Sequence, residues 1–253
     1  MDKKTSWREQ ADWYDDLIEK QEDNYQKTLI LPNLLRLLAP SPGESVLDLA
    51  SGQGFFSREL AKLGVKVLGV DASPELIKIA RERDPKIKYI LGNAFKLDFS
   101  ADKSFDKAIA ILAIQNIEKA NETFKEVFRV LKPGGKFYMV LNHPAFRIPK
   151  KTSWVFDDEH NAQYRRVDAY LSESTEKIYM HPGDRPEEFT LSFHRPLQFY
   201  FKGMTNAGFL ISRIEEWSSN KKSQPGKRSE AENVARKEIP LFIMIEAVKS
   251  LLK

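Results

Sequence analysis

A short stretch near residue 50 places a carboxylate and two glycines at the end of an apolar run. A helical pattern begins near Phe55, and the segment before it reads Val46-Leu47-Asp48-Leu49-Ala50-Ser51-Gly52-Gln53-Gly54. Glycine is favoured in such a strand-to-helix turn because a Cβ atom would block the close approach of a ligand to the backbone. A glycine pair is also compatible with a tight turn that binds nothing. The acidic residues nearby therefore decide between the two interpretations.

A second carboxylate, Asp71, lies seventeen residues after Gly54 and ends the next apolar run. A carboxylate at this place accepts hydrogen bonds from both hydroxyls of a ribose, or it caps the following helix. Open α/β sheets bind ligands at the carboxyl ends of their strands. Because the glycine turn and Asp71 end adjacent predicted strands, the pattern favours a nucleoside ligand.

A nicotinamide dinucleotide is the rival ligand for this pattern. Its fingerprint needs a third glycine, and this sequence has Ser57 at that place. Asp48, inside the strand before the turn, can hold the loop and reach the ammonium of an amino acid through water. The residues therefore favour a nucleoside that carries an amino acid and no phosphate.

Five ordered motifs over roughly residues 25–141 make the sequence resemble the class I S-adenosylmethionine-dependent methyltransferases. The motifs are VLDLASGQG, GVDAS, LGNAF, FDKAIAILAIQNIE and LKPGGKFYMV. The resemblance implies S-adenosylmethionine as the cofactor and S-adenosylhomocysteine as the product. It also implies an antiparallel strand pair at the end of the domain, which agrees with two late apolar runs.

The resemblance also implies a set of cofactor-binding residues. These are Tyr25, Asp48, Ser51, Gly52, Gly54, Asp71, Ala72, Asn93, Ala94, Ile111 and Leu112. In this interpretation the two glycines line the methionyl end, Asp71 holds the ribose and Asn93 meets the adenine. Ala50 and Asn93 depart from the glycine and aspartate that are usual in the family at these places.

All four histidines follow the fifth predicted strand, and two of them are candidates for contact with the methyl acceptor. His143 follows that strand directly, and His194 precedes a predicted helix. The alternative is that they are structural residues bonded to nearby backbone. In-line methyl transfer depends mainly on holding donor and acceptor in line, so a general base is optional. No histidine pair has the spacing of a preformed ligand set, and no metal is expected.

The segment after residue 141 is rich in aromatic and charged residues, and we expect it to cover the site. Within the string from Gln163 to Tyr170, Tyr164 and Arg165 are predicted to bind the acceptor, together with His181. The alternative for this string is a solvated helix face that pairs with Asp157, Asp158 and Glu159.

The elements that must position these residues alternate between short apolar runs and amphipathic stretches, which predicts an α/β fold. We expect a doubly wound, Rossmann-like sheet of five parallel strands plus a C-terminal antiparallel pair, with helices on both faces. The parallel strands are predicted at 45–49, 66–70, 88–91, 107–112 and 136–141. The late pair is predicted at 210–217 and 240–248, and an insertion that covers the substrate follows the fifth strand.

The domain organisation and composition agree with one enlarged domain over residues 1–253. Residues 1–40 are expected to form covering helices, and residues 142–200 the insertion. The chain has no cysteine, a formal net charge of +4 and 42% apolar residues, and we expect a cytoplasmic protein without a membrane partner.

These observations predict a methyltransferase with a small-molecule acceptor. RNA or protein remains an alternative acceptor, with phosphates gripped by the basic residues Lys221, Lys222, Lys227 and Arg228. A further alternative is an NAD-dependent oxidoreductase or a nucleoside-binding protein without catalytic activity. The oligomeric state is not predicted.

Overall fold

Short strands rich in Val, Ile and Leu alternate with helices in the first half of the chain and form a parallel sheet. The protein, seen here as a computed structural model, is described at residue 7 and over residues 9–179 and 189–250. The parallel strands are β1 (Ser45–Leu49), β2 (Lys66–Asp71), β3 (Lys88–Leu91), β4 (Phe105–Ile111) and β5 (Leu131–Asn142).

Two late strands, β10 (Phe209–Trp217) and β11 (Phe242–Lys249), complete the sheet, and β11 lies between β5 and β10. Strand β11 is antiparallel to both of its neighbours, so β10 runs in the same direction as β5. The strand order is therefore β3-β2-β1-β4-β5-β11-β10. This sheet has the five parallel strands and the antiparallel pair that the sequence predicts.

Helices cover both faces of the sheet because neighbouring strand residues point to opposite sides. On β1, Val46 belongs to the hydrophobic core on one face, together with Leu34 and Leu60. Its neighbour Leu47 belongs to the core on the other face, together with Phe124 and Tyr200. The helices are α1 (Ala11–Lys20), α2 (Leu31–Leu38), α3 (Phe55–Ala61), α4 (Pro74–Arg83), α5 (Ala120–Val130), α6 (Leu197–Ala207) and α7 (Ser229–Glu238). None of the helices within the described ranges is both long and apolar enough to span a membrane.

Two helices differ in how they begin. Ser73 caps α4, because its Oγ accepts a hydrogen bond from the Leu76 amide, and Pro74 follows. Helix α5 begins after Lys119, without a side-chain cap, and ends at Val130. The chain then enters β5 at Leu131, before the predicted start of this strand at residue 136.

The described part of residues 143–196 contains two antiparallel hairpins and no helix. The first pairs β6 (Thr152–Asp157) with β7 (Ala162–Val167), and the second pairs β8 (Ser174–Tyr179) with β9 (Phe189–His194). The alternative of a helix face for the string from Gln163 is therefore wrong. Burial alternates residue by residue along most of this string, which is the period of a strand.

Helix α7 lies between the two late strands, where no element was predicted. Its buried residues are only Ala231 and Ala235, one turn apart, so its apolar face is too small for a clear helical pattern. The helix packs against β7 and so connects the late part of the chain to the first hairpin.

Candidate cofactor and acceptor sites

The strand order reverses between β1 and β4, and ligands of open α/β sheets bind in the crevice at such a point. The residues that follow these two strands, Ala50 and Leu112, both have a left-handed backbone with φ of 53°. This conformation is uncommon for residues other than glycine, and it is concentrated at functional sites.

Asp71 ties the loop after β1 to the loop after β2. Its Oδ2 accepts a hydrogen bond from the Gly52 amide at 2.9 Å, and its Oδ1 accepts one from the Ser73 amide at 2.8 Å. Burial raises the pKa of Asp71, while these amides oppose the rise. Each carboxylate oxygen can accept a second hydrogen bond. Asp71 therefore keeps acceptor capacity for ligand hydroxyls while it holds the glycine loop.

Asp48 lies below the same loop and is fully enclosed. The Ser57 hydroxyl donates to its Oδ2 at 2.6 Å. Burial raises the pKa of Asp48 to about 7; the Ser57 hydrogen bond opposes this rise, and the negative charge of Asp71 adds to it. A carboxylate in this state is readily converted to its charged form by a cationic ligand nearby.

Helix α1 lies over the glycine loop. The Tyr14 ring comes within 3.2 Å of the position that a Cβ atom on Gly52 would occupy. Burial and the nearby carboxylates of Asp71 and Asp48 raise the pKa of Tyr14. Tyr14 thus covers the loop directly, and Gly52 is required there because a side chain would meet the ring.

Glu19 fastens α1 to the helices on either side of the loop. Its carboxylate pairs with Arg58 at the start of α3 and with Arg83 at the end of α4. Gln53 in the loop also donates to Glu19, at 3.0 Å. These contacts hold α1 closed over the crevice.

The residues around the loop fit an amino acid nucleoside better than a dinucleotide. Ser51 Oγ is buried without a hydrogen-bond partner among the described residues, so a polar atom remains available for a ligand. Asp48 and Asp71 suit an ammonium and ribose hydroxyls, respectively. Arg58, the basic residue of the first turn of α3, is committed to Glu19 and Gln53. A pyrophosphate would meet two carboxylates here.

The remaining predicted cofactor residues lie at the same edge of the sheet, with one exception. Ala94 and Ile111 are buried, Leu112 is half-buried, and Asn93 is exposed in the loop after β3. Ala72 is half-buried beside Asp71. Tyr25 is the exception, because its hydroxyl bonds to Ser219 Oγ at 2.8 Å and its ring packs on Phe242 in a separate cleft.

That cleft has a volume of about 430 Å³. Its lining residues are Tyr25, Asn142, Arg147, Ile148, Pro149, Lys150, Thr152, Arg165, Leu241 and Phe242. A smaller pocket of about 40 Å³ adjoins it and shares Asn142, Arg147 and Pro149. Its other lining residues are Gln115, Pro144, Ser192, Phe193, His194, Arg195 and Tyr200. The two cavities therefore form one chamber, the acceptor chamber, at the ends of β4 and β5.

The predicted histidines have different surroundings. Both ring nitrogens of His143 are engaged, because Nε2 bonds to Glu216 at 2.6 Å and Nδ1 accepts from the Ala145 amide at 3.2 Å. His194 lies in the wall of the smaller pocket, and its Nε2 donates to the Tyr170 carbonyl at 2.8 Å. Contact of either histidine with an acceptor stays a prediction.

The other predicted acceptor residues are not brought together. Arg165 lines the larger cleft, but Tyr164 points to the opposite side of β7 and is 49% exposed. His181 lies outside the described residues. Within those residues, no group of three or more His, Asp or Glu residues is placed to hold a metal ion.

Two polar lining residues of the chamber, Arg147 and Gln115, are among those that were not predicted as site residues. Arg147 lies in the wall shared by both cavities. Gln115 lies in the 3₁₀ turn after β4, where its Nε2 donates to the Leu112 carbonyl and its buried Oε1 has no partner among the described residues. The turn after β4 is a usual place for substrate contacts in such sheets, which was the available signal for Gln115.

Comparison with known proteins connects this arrangement to a family. Residues 47–139 match the family described as a methyltransferase domain. The demethylmenaquinone methyltransferase of Chlorobaculum tepidum is 35% identical over 130 residues, which is 51% of this chain and 53% of that protein. The one from Renibacterium salmoninarum is 38% identical over 106 residues, 42% of this chain and 44% of that protein. This chain thus spans about half the length of these relatives, or less.

Solved structures extend the similarity beyond the matched domain. An S-adenosylmethionine-dependent methyltransferase from Mesorhizobium loti superposes with a TM-score of 0.68 at 27% identity, over 86% of this chain and 96% of that one. A structure from Listeria monocytogenes gives a TM-score of 0.70 at 24% identity, over 87% and 97% of the two chains, and this likeness shows the fold alone. The domain match over residues 47–139, the sheet and the glycine loop support a class I S-adenosylmethionine-dependent methyltransferase, with S-adenosylmethionine as the cofactor.

Proposed function

We propose that the protein transfers a methyl group from S-adenosylmethionine to a small molecule bound in the acceptor chamber. The observation that carries this proposal is the crevice itself: Asp71 joins the glycine loop to the end of β2, and Asp48 lies beneath it. When bound, S-adenosylmethionine supplies an electrophilic methyl group on its sulfonium. We further propose that residues 1–253 act as one domain, with residues 1–40 and 142–200 as coverings.

The residues around the crevice would bind and orient the cofactor in distinct ways. Asp71 would accept hydrogen bonds from the ribose hydroxyls, and Asp48 would balance the positive charge of the methionyl end. Gly52 and Gly54 give the backbone room for close approach. Tyr14 excludes water from above, which strengthens the electrostatic interactions of both carboxylates.

A small-molecule acceptor is supported by the size and place of the chamber. A volume of about 430 Å³ is in the range of pockets that enclose small ligands. The relatives from Chlorobaculum tepidum and Renibacterium salmoninarum are named for a small-molecule acceptor, demethylmenaquinone. In the basic stretch that was considered for RNA, Lys221 pairs with Asp23 and Arg228 with Asp158, which reduces its positive field.

The experiment that tests the cofactor site is calorimetric titration with S-adenosylmethionine, S-adenosylhomocysteine and NAD. The wild type should bind the two sulfur nucleosides and not NAD. Asp71→Ala should weaken this binding by about 10-fold or more, because hydrogen bonds to a charged group are lost. The matched control is Asp158→Asn, which changes an exposed carboxylate far along the chain and should leave the affinity unchanged.

Either of two results would contradict the proposal. Selective binding of NAD would assign the crevice to a dinucleotide. Equal affinity of Asp71→Ala and wild type for S-adenosylhomocysteine would mean that the cofactor does not bind at this carboxylate.

A further inference from the structure

Arg147 is a half-buried cation that pairs with no carboxylate of the described residues. It lies in the wall that the two cavities of the acceptor chamber share. Its backbone amide donates to the His143 carbonyl, but its guanidinium makes no hydrogen bond or ion pair within the part of the chain that the structure describes. Burial lowers the pKa of Arg147, and the positive charges of Arg165 and Arg236 lower it further.

Arg165 points into the same cleft from β7. Its Nε donates to the Phe146 carbonyl at 2.9 Å and one Nη to Thr152 Oγ1 at 2.7 Å. These partners are neutral, so they fix the direction of the guanidinium without compensating its charge. Arg236, on α7, bonds only to the neutral Ser223 hydroxyl among the described residues.

Other arginines show that this chain normally neutralises or saturates a guanidinium that is partly buried. Arg58 pairs with Glu19, and Arg129 pairs with Glu126 and Asp102. Arg195, beside Arg147 in the smaller pocket, donates to the three carbonyls of Ile114, Ile117 and Glu118. Three neighbouring guanidiniums that pair with no carboxylate are therefore an exception among the described residues.

A lysine in the wall of the cleft already has an acidic partner. Lys150 lines the cleft and pairs with Glu176 at 3.1 Å, so that carboxylate is already engaged by a lysine. Apart from these charged residues and the polar Asn142 and Thr152, the lining is apolar or aromatic, with Tyr25, Ile148 and Phe242 among its residues. The cleft therefore combines an uncompensated positive end with an apolar wall.

We infer that the methyl acceptor is a small apolar or aromatic molecule that carries an oxyanion, a carboxylate or a phosphate, bound by Arg147 and Arg165. The planar guanidinium binds either oxyanion through paired N–H groups, which fixes both the position and the orientation of the ligand. Arg236, on α7, adds to the positive potential at Arg147. This inference rests on the proposed function, because it assigns the chemistry of the acceptor in the same chamber.

The test measures calorimetric affinities of the full chain for three small probes that share one ring. Phenyl phosphate and benzoate carry the two oxyanions, and phenol is the neutral counterpart. The wild type should bind at least one of the anions at least 10-fold more tightly than phenol. The better anion then indicates whether the natural acceptor is a phosphate or a carboxylate.

Two variants connect the binding to the proposed residues. Arg147→Gln should weaken the better anion by about 10-fold to 100-fold, as expected for the loss of charged hydrogen bonds, and Arg147→Lys should recover part of the affinity. The control is Arg166→Gln. Arg166 is the neighbour of Arg165 on β7, but it is exposed and pairs with Asp168 at 2.6 Å, so its loss should change the affinity by less than twofold.

Titration of the same samples with S-adenosylhomocysteine separates this inference from the proposed function. If the nucleoside binds normally to wild type and Arg147→Gln, but the anions bind no better than phenol, the inference is wrong and the cofactor site stands. If the nucleoside does not bind to the wild type, the proposed function fails instead. Displacement of the anions by a short single-stranded RNA at lower concentration would assign the arginines to a macromolecule and overturn the inference.

Discussion

Ser57 donates its hydroxyl hydrogen to Asp48 across 2.6 Å, and both side chains are almost completely removed from water. The bond connects the first turn of α3 to the middle of β1, directly under the glycine loop. In the sequence, Ser57 stands only where a dinucleotide-binding fingerprint would have its third glycine. In the structure its hydroxyl is the hydrogen-bond donor that keeps a buried carboxylate accessible to ionisation near neutral pH.

Asp48 should make the protein less stable as the pH rises from about 4 to 7. The folded protein holds the Asp48 proton up to a pKa of about 7, whereas the unfolded chain releases it near 3.9. The native state therefore binds more protons over this range, and the free energy of unfolding falls with rising pH. Asp48→Asn should remove this slope. Urea unfolding at pH 5 and pH 7.5 measures the difference.

Ser57→Ala serves as the companion variant for Asp48. Without the hydroxyl, the charged form of Asp48 loses its donor, so the loss of stability at pH 7.5 should become larger than in the wild type. Identical pH slopes for wild type and Asp48→Asn would show that this carboxyl is not the titrating group.

His143 should produce the opposite dependence on pH. Burial lowers its pKa below 6.5, although the bond to Glu216 opposes this effect. Below pH 6.5 the unfolded chain takes up a proton more readily than the folded protein, so stability is lost as the pH falls. In His143→Gln, the free energy of unfolding should therefore depend less on pH below 6.5. At pH 7.5 it should cost about 1 to 2 kcal/mol, because the Ala145 amide loses its acceptor.

The control for His143 is His160, which is exposed and pairs with Asp157. His160→Gln should change the free energy of unfolding by less than about 0.5 kcal/mol. Unchanged stability of His143→Gln would mean that the engaged ring nitrogens contribute nothing to the fold.

Glu19→Gln should loosen α1 without unfolding the domain. The variant removes the charge that holds Arg58 and Arg83, and partly exposed ion pairs contribute about 0.2 to 1 kcal/mol each. Hydrogen exchange of the α1 amides should therefore accelerate by about 2-fold to 30-fold, while β1 and β4 keep their protection.

Glu22→Gln is the matched control, since Glu22 pairs only with Lys27 among the described residues and is 88% exposed. Its α1 amides should exchange like those of the wild type. Equal exchange in Glu19→Gln and the wild type would show that α1 is held by its apolar contacts alone.

Ala50→Gly should stabilise the protein slightly. A left-handed backbone costs an L-residue roughly 1 to 2 kcal/mol, and Ala50 has a φ of 53°. The greater conformational freedom of glycine in the unfolded chain lowers the free energy of unfolding by about 0.4 to 1 kcal/mol. The expected gain in free energy of unfolding is up to about 1 kcal/mol. Ala113→Gly, at a φ of −111°, has no strain to relieve and should lose about 0.5 to 1 kcal/mol.

The parallel strands were predictable because their signal is local. The first strand has the predicted bounds, and the fourth differs from its prediction by two residues at the start and one at the end. The glycine loop and Asp71 were predictable for the same reason, since each ends a strand with a clear apolar pattern. The fifth strand begins early because Leu131 pairs with Phe105, and the register then shifts before Lys136 pairs with Lys107; no local sequence pattern indicates such a pairing.

The acceptor chamber was less predictable because it depends on distant parts of the chain. Arg165 was identified from its string of aromatics and arginines. Arg147 was not identified. What distinguishes it is that its guanidinium pairs with no carboxylate of the described residues, and this is visible only in the tertiary structure. Its neighbour Arg195 looks equally basic in the sequence, yet it is satisfied by three carbonyls. Only the tertiary structure separates the two arginines.

The position of β11 in the sheet has a consequence for biosynthesis. This strand lies between β5 and β10, so the edge of β5 stays open until residues 242–249 have left the ribosome. About a hundred residues separate β5 from that point, which takes roughly 5 to 20 s at ordinary rates of translation. During this interval the nascent chain presents an apolar strand edge that can pair with other chains, and a chaperone that shields it would raise the yield of folded protein.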